Sequence, residues 1–195
     1  FNSDVYIFQN LSFKLFKNKH TVLTGPNGSG KSTLLGLLAG VYYAENGRVK
    51  ANCKKFGYIG ATPLIFNGTI RENVLYGNDD NVSDEVIMNE LRLFDTFKEE
   101  SGYDLDRIVD NKSLSSGQMQ KIAFIRALIA DIDILLLDES TANLDDSSRD
   151  LIFNILEKKQ ITILNSTHDA GKFKKIDHHI NIDIVDEDRK LEYQF

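Results

Sequence analysis

Lys31 and Ser32 follow a run of small residues, Gly25-Pro26-Asn27-Gly28-Ser29-Gly30, and Thr33 completes the string GPNGSGKST. The spacing is G-x-x-x-x-G-K-S, in which glycines let successive backbone amides wrap the phosphates of a nucleotide. Lys31 is then placed to reach the β and γ phosphates, Ser32 offers a hydroxyl to Mg²⁺, and a helix that follows adds its positive end to the field. The alternative is a glycine turn without a ligand. A second chemical signal lies far downstream, where ILLLDE ends in Asp138 and Glu139. In a phosphoryl-transfer site the first acid can hold Mg²⁺ and the next can orient or activate the attacking water. As plain structure, the same pair caps the next helix. His168 closes ITILNSTHD; beside these groups it is a candidate γ-phosphate contact, and by itself a surface histidine. His20, His178 and His179 have no such setting.

KSLSSGQMQK, from Lys112 to Lys121, is a second glycine site. Ser115, Ser116, Gly117 and Gln118 stand where a helix starts, with free amides and a positive end. The turn contains no lysine and has no acidic partner for Mg²⁺, so it cannot hold a nucleotide unaided. It can grip a γ-phosphate presented from outside.

The elements that must position these groups are legible in the pattern. Leu11 to Leu15 and Thr21 to Thr24 suit short strands, and the second runs into the glycine loop and a helix, KSTLLGLLAGVYY. The strand FGYIG follows. From Asn67 to Gly117 helical signals dominate, including SDEVIMNELRLFDTF, where Ser83 can cap and Val86, Ile87, Leu91 and Phe94 form an apolar stripe. Then come the helix QMQKIAFIRALIA, the buried strand IDILLLDES, the helix SSRDLIFNILEKK, the strand ITILNSTHD and a terminal hairpin, HINIDIVDEDRKLEY. Alternating strands and helices imply an α/β fold with a mainly parallel sheet. Both acids then sit at the carboxyl end of a strand, where open α/β sheets bind ligands.

The chain has 195 residues, 42% hydrophobic content and a formal charge of −6, enough for one buried domain with an inserted lobe. The acidic balance argues against nucleic acid as a partner, and the short basic clusters KNKH and KFKK read as solvated faces. Cys53 is the only cysteine, which suits a reducing compartment and a partly buried thiol. No apolar run approaches the roughly 20 residues of a membrane span. The abrupt opening, FNSDVYIFQNLSFKLF, reads as the middle of a strand-rich meander, so we expect a fragment of a longer polypeptide.

Taken in order, GPNGSGKST, IFNGTIRENVLYG, LSSGQMQK, ILLLDES, ANLD and STHD resemble the nucleotide-binding domain of ABC transporters over essentially the whole chain. The segment FNGTIREN resembles the part of exporter-type domains that packs near the coupling helices of the membrane part. The resemblance implies a RecA-like P-loop core, about residues 1–63 and 125–195, with a small antiparallel β part and an α-helical subdomain, about 64–124. It implies ATP with Mg²⁺, two such domains in a head-to-tail dimer, and membrane helices upstream that place the domain at the cytoplasmic face. Carried over by position, Gly25, Pro26, Asn27, Gly28, Ser29, Gly30, Lys31, Ser32 and Thr33 bind phosphates, with Lys31 also catalytic. Ser32 and Asp138 serve Mg²⁺, Glu139 is the catalytic carboxylate and His168 the switch histidine. Ala142 to Asp145 form the loop that signals across the dimer, and Ser115 to Gln118 are the signature that contacts the partner's nucleotide. Phe1, or else Tyr6, is expected to stack on adenine.

The chain departs from the family at several positions. Ala61 stands where a glutamine normally helps to ligate Mg²⁺, and Thr62 offers only a hydroxyl of shorter reach. The exporter glutamate before the signature is replaced by Val109 or, with a shift, Asp110. Ser116 takes a glycine position, and the stretch between LLAGVYY and FGYIG is short, closer to the first domain of the C-type subfamily. These changes predict weakened Mg²⁺ use and slow hydrolysis in an exporter ATPase. The competing readings are an ATP-gated dimerising module with little hydrolysis and a soluble ABC protein acting on DNA or ribosomes; the acidic balance and the exporter-like GTIREN disfavour the last.

Overall fold

A computed structural model describes residues 6–50, 55–78, 81–99, 102–185 and 188–194. Phe1 and Cys53 lie outside them. Six strands form one sheet in the order β2 (Phe56–Ile59), β5 (Ile134–Asp138), β6 (Thr162–Ser166), β1 (His20–Thr24), β7 (His178–Val185), β8 (Asp188–Gln194). The first five are parallel to their neighbours, and β8 returns antiparallel as the expected terminal hairpin. Leu135, Leu136 and Leu137 are all fully buried, because helices cover one face of β5 and the apolar segment near the amino end covers the other together with α1 (Lys31–Leu38).

Alternation along each strand divides the core. Leu135, Leu137 and Ile163 point toward α4 (Ser116–Ile129) and α5 (Asp146–Lys158), while Leu136, Leu164 and Leu23 pack with Leu34 and Leu35 of α1 (Lys31–Leu38). Between β2 and α4 lie a two-stranded sheet, β3 (Gly68–Thr69) with β4 (Ile108–Val109), and the helices α2 (Ile70–Leu75) and α3 (Asp84–Leu93). Ile70, Val74, Ile87, Leu91 and Phe94 join the same buried cluster as Phe124 and Leu135. Among the described residues, no helix is long and apolar enough to cross a membrane.

Four local expectations need correction. Residues 11–15 form no strand; Leu11, Phe13 and Leu15 pack as an extended segment on the second cluster, so alternation arises from one buried face without a ladder partner. The helix α1 ends at Leu38 rather than running to Tyr43, because the chain reverses and the Val41 amide donates to the Gly36 carbonyl at 2.9 Å. Ser83 is the N-cap of α3 by backbone geometry, but its side chain makes no capping bond. Val86 is 45% exposed, on the solvent side of the stripe formed by Ile87, Leu91 and Phe94.

His20 opens β1 and is only 7% exposed. Its ring lies 4.7 Å from that of Phe153 and 5.3 Å from that of Phe173, and Nδ1–H donates to the Lys175 carbonyl at 3.0 Å. Burial lowers its pKa from 6.5 to about 4, against the smaller opposing pull of the Lys175 bond and Asp177. The unfolded chain therefore binds the proton first as pH falls from 6.5 toward 4, and stability declines through that window by on the order of 3 kcal/mol. His20→Phe keeps an aromatic ring in the cluster and should flatten the decline in urea midpoint between pH 6.5 and 4.5. An unchanged slope would show that another group carries it.

Candidate functional site

The loop between β1 and α1 is shaped by close backbone approaches. A Cβ on Gly25 would lie 2.6 Å from the Ile182 carbonyl oxygen, and Gly30, at φ 98°, would drive one to 2.6 Å from the ring of Phe8. Neither position admits a side chain. The Lys31 ammonium is buried and donates to the carbonyls of Gly25 at 2.9 Å and Pro26 at 3.2 Å, which holds the loop in a closed turn and leaves one of its three donors. Ser29 is fully buried, and Pro26 accepts from its amide at 3.1 Å. Asn27, Gly28, Gly30, Lys31, Ser32 and Thr33 line one cleft, and Glu139 lines it with them.

Asp138 ends β5, and Glu139 follows in a left-handed conformation, φ 53°, with its amide donating to the Ser166 carbonyl at 3.1 Å. That bend separates two adjacent carboxylates. Glu139 turns to His168, whose Nε2 lies 2.6 Å from Oε1. Asp138 turns to Tyr58, whose hydroxyl donates to Oδ2 at 2.9 Å, while Oδ1 is buried with no protein partner. Burial, and next the bond to Asp138, push the Tyr58 phenol well above its ordinary pKa, so it stays a donor. The hydroxyls of Ser29, Ser140 and Ser166 and the amide of Asn165 are likewise buried without a protein partner. Neither acid caps the next helix: Asp145 caps α5 by accepting from the Ser148 amide at 2.8 Å.

Ser115 is the N-cap of α4. Its hydroxyl accepts from the Gln118 amide at 3.2 Å and its own amide donates to Gln118 Oε1 at 3.0 Å, a reciprocal capping box. Two of the amides read as available are thus used locally, and the first-turn amides of Ser116 and Gly117 remain for an outside acceptor. Ser115 to Gln118 do not line the cleft of Lys31 and Glu139. Val109 is buried in β4, and Asp110 is committed to the turn before α4, where its carboxylate accepts from the Ser113 amide at 2.7 Å. At Ala61 the side chain offers no polar atom; its carbonyl accepts from Gln120 at 3.0 Å.

Three residues in or near this site were missed from the sequence. Ile7, not Tyr6, lines the cleft, and Arg189 lines it from β8. Tyr58 enters the sequence reading only as part of the strand FGYIG, although a polar-tipped aromatic at the carboxyl end of a strand is a usable signal.

A family model described as ABC transporter matches residues 8–142. The chain belongs to the ABC transporter family. It is 33% identical over 192 residues to ABC transporter B family member 13 of Arabidopsis thaliana, covering 89% of this chain and 15% of that protein. It is 33% identical over 195 residues to the ATP-dependent permease MDL1 of Candida albicans, covering 89% of this chain and 28% of the permease. A solved bacterial Atm1-family ABC exporter with ATP bound superposes with a TM-score of 0.82 at 25% identity, over 94% of this chain and 35% of that one. The fold is that of the exporter's RecA-like nucleotide-binding part, as expected. This ABC chain therefore spans less than a third of the length of the two named transporters and about a third of the solved exporter chain.

The left-handed Glu139 costs backbone energy that a glycine would not. Glu139→Gly should raise stability by about 0.5–1 kcal/mol in urea unfolding, net of the greater unfolded-state entropy of glycine. A loss of stability would mean that its half-exposed pairing with His168 outweighs the strain.

Proposed function

We propose that this chain is the ATP-hydrolysing domain of an ABC exporter. The observation that carries the reading is the shared cleft of the glycine loop and Glu139, with His168 at 2.6 Å from that carboxylate. The loop amides and Lys31 hold the phosphates, and Glu139 takes the proton of the attacking water. In this reading His168 keeps the carboxylate aimed and serves as the γ-phosphate contact. The orphan Oδ1 of Asp138 and the exposed hydroxyl of Ser32 fit a Mg²⁺ ion. Among the described residues no three His, Cys, Asp or Glu side chains converge to hold a metal. When bound, Mg²⁺ neutralises charge on the β and γ oxygens.

The Ser116 and Gly117 amides serve the nucleotide of a second such domain, which makes ATP the bridge of a head-to-tail pair. Residues of about 64–124 act as the lobe that carries this turn. Leu64 and Tyr76, 57% and 54% exposed beside GTIREN, form the apolar face that membrane segments of the full transporter cover.

Removing the general base should slow single-turnover ATP hydrolysis by about 10²–10⁴-fold in Glu139→Gln while leaving nucleotide affinity intact. Equal rates would overturn the enzyme reading. Ala61 is exposed, so a longer side chain fits there; Ala61→Gln should lower the Mg²⁺ concentration needed for half-maximal turnover. An unchanged Mg²⁺ dependence would show that the missing amide is not limiting.

A further inference from the structure

We propose, building on that reading, that Tyr58 is a positioning residue for the metal carboxylate, fixing one oxygen of Asp138 so that the other is presented to Mg²⁺. The carboxylate is asymmetric. Oδ2 accepts the Tyr58 hydroxyl at 2.9 Å, whereas Oδ1 is buried and has no protein partner. An ionised carboxylate has no proton to give, so the phenol is the donor. A buried oxygen left without a donor is costly, and a cation relieves that cost in the one direction the clamp leaves open.

The placement follows from strand register. Tyr58 on β2 pairs with Leu136, two residues before Asp138 on β5, so the tyrosine reaches forward along a parallel neighbour to the carboxyl end of that strand. A purely structural role has little to explain. The two strands are already joined along four register pairs from Phe56–Ile134 to Ile59–Leu137, and Tyr58 is 48% exposed. Just beyond β2, Ala61 brings no side-chain polar atom. Tyr58 is thus the side chain through which this strand touches the acid. Hydrogen bonds to metal-ligating carboxylates set their orientation, and removing them typically weakens metal binding by about 10–100-fold.

The test uses Mn²⁺ as the probe ion, titrated by electron paramagnetic resonance in the presence of a saturating non-hydrolysable ATP analogue. Tyr58→Phe should weaken Mn²⁺ binding by about tenfold or more. It should leave unchanged the affinity for a fluorescent ATP analogue in EDTA and the urea midpoint. In an Asp138→Ala background, Tyr58→Phe should add nothing, since the tyrosine acts only through that carboxylate. Wild-type Mn²⁺ affinity in Tyr58→Phe, or the same loss with Asp138 already removed, would overturn the role of Tyr58. If Asp138→Ala itself bound Mn²⁺ like the wild type, the metal reading of the site would fall first, and the two failures are distinct.

Discussion

Three adjacent parallel strands end level with one another, and the arrangement of the site depends on that alignment. Leu23 of β1 pairs with Ser166 of β6, and Ser166 pairs with Asp138 of β5. Everything one or two residues beyond this row leaves the sheet on the same edge. Beyond Leu23 comes the glycine loop, beyond Asp138 comes Glu139, and beyond Ser166 comes His168. Their sequence separation exceeds 100 residues between loop and acids, yet register alone delivers them to one edge. A slip of one residue in β5 would exchange the core-facing and opposite-facing leucines and rotate Asp138 away, so the burial of Leu135, Leu136 and Leu137 on both faces also fixes the acid.

The second constraint is α4, which ties the intervening segments to the sheet. Gln120 donates to the Ala61 carbonyl, and Arg126 donates to the carbonyls of Leu64, at 2.6 Å, and Asn73. Asn73 is fully buried and closes its own loop, accepting from the Phe66 amide at 3.1 Å and donating to the carbonyls of Phe66 and Thr69. Burial lowers the Arg126 pKa to about 10, which still leaves it charged, so its bonds to carbonyls are charge-assisted. One helix therefore carries the capped turn of Ser115 at its start and the anchor for GTIREN near its end. Any rotation of α4 moves both together.

Much of this was legible because the signals were local and redundant. The glycine loop carried its spacing and its flanking strand and helix, and ILLLD is too short for most helices and too apolar for an edge; the capping boxes at Thr69 and Ser115 are four-residue patterns too, but at Ser115 the reading of free amides passed over the Gln118 side chain. What escaped was decided by tertiary neighbours. Leu11 to Leu15 alternates as a strand does, but an apolar face suffices for that pattern and no ladder partner is available. The length of α1 depended on where the chain reverses, and the exposure of Val86 on which half of a wide stripe faces α4. Tyr58 could be placed on a strand from FGYI, but not beside Asp138, because that neighbour follows from strand order.

Polar pairing differs between the two ends of the same strands. At the amino ends, Lys19 pairs with Asp177 at 2.9 Å and the Asn18 amide donates to Thr162 Oγ1 at 2.9 Å, with His20 Nε2 a buried exception. At the carboxyl ends, Asp138 Oδ1, the hydroxyls of Ser140 and Ser166 and the side-chain amide of Asn165 are buried without protein partners beside a strained Glu139. Folding alone gives no return for such an arrangement, since each orphan group lowers stability. Phosphate, cation and water would satisfy the same groups. The local violations therefore fall where a ligand would be held, and the regular part of the fold supplies the stability that tolerates them.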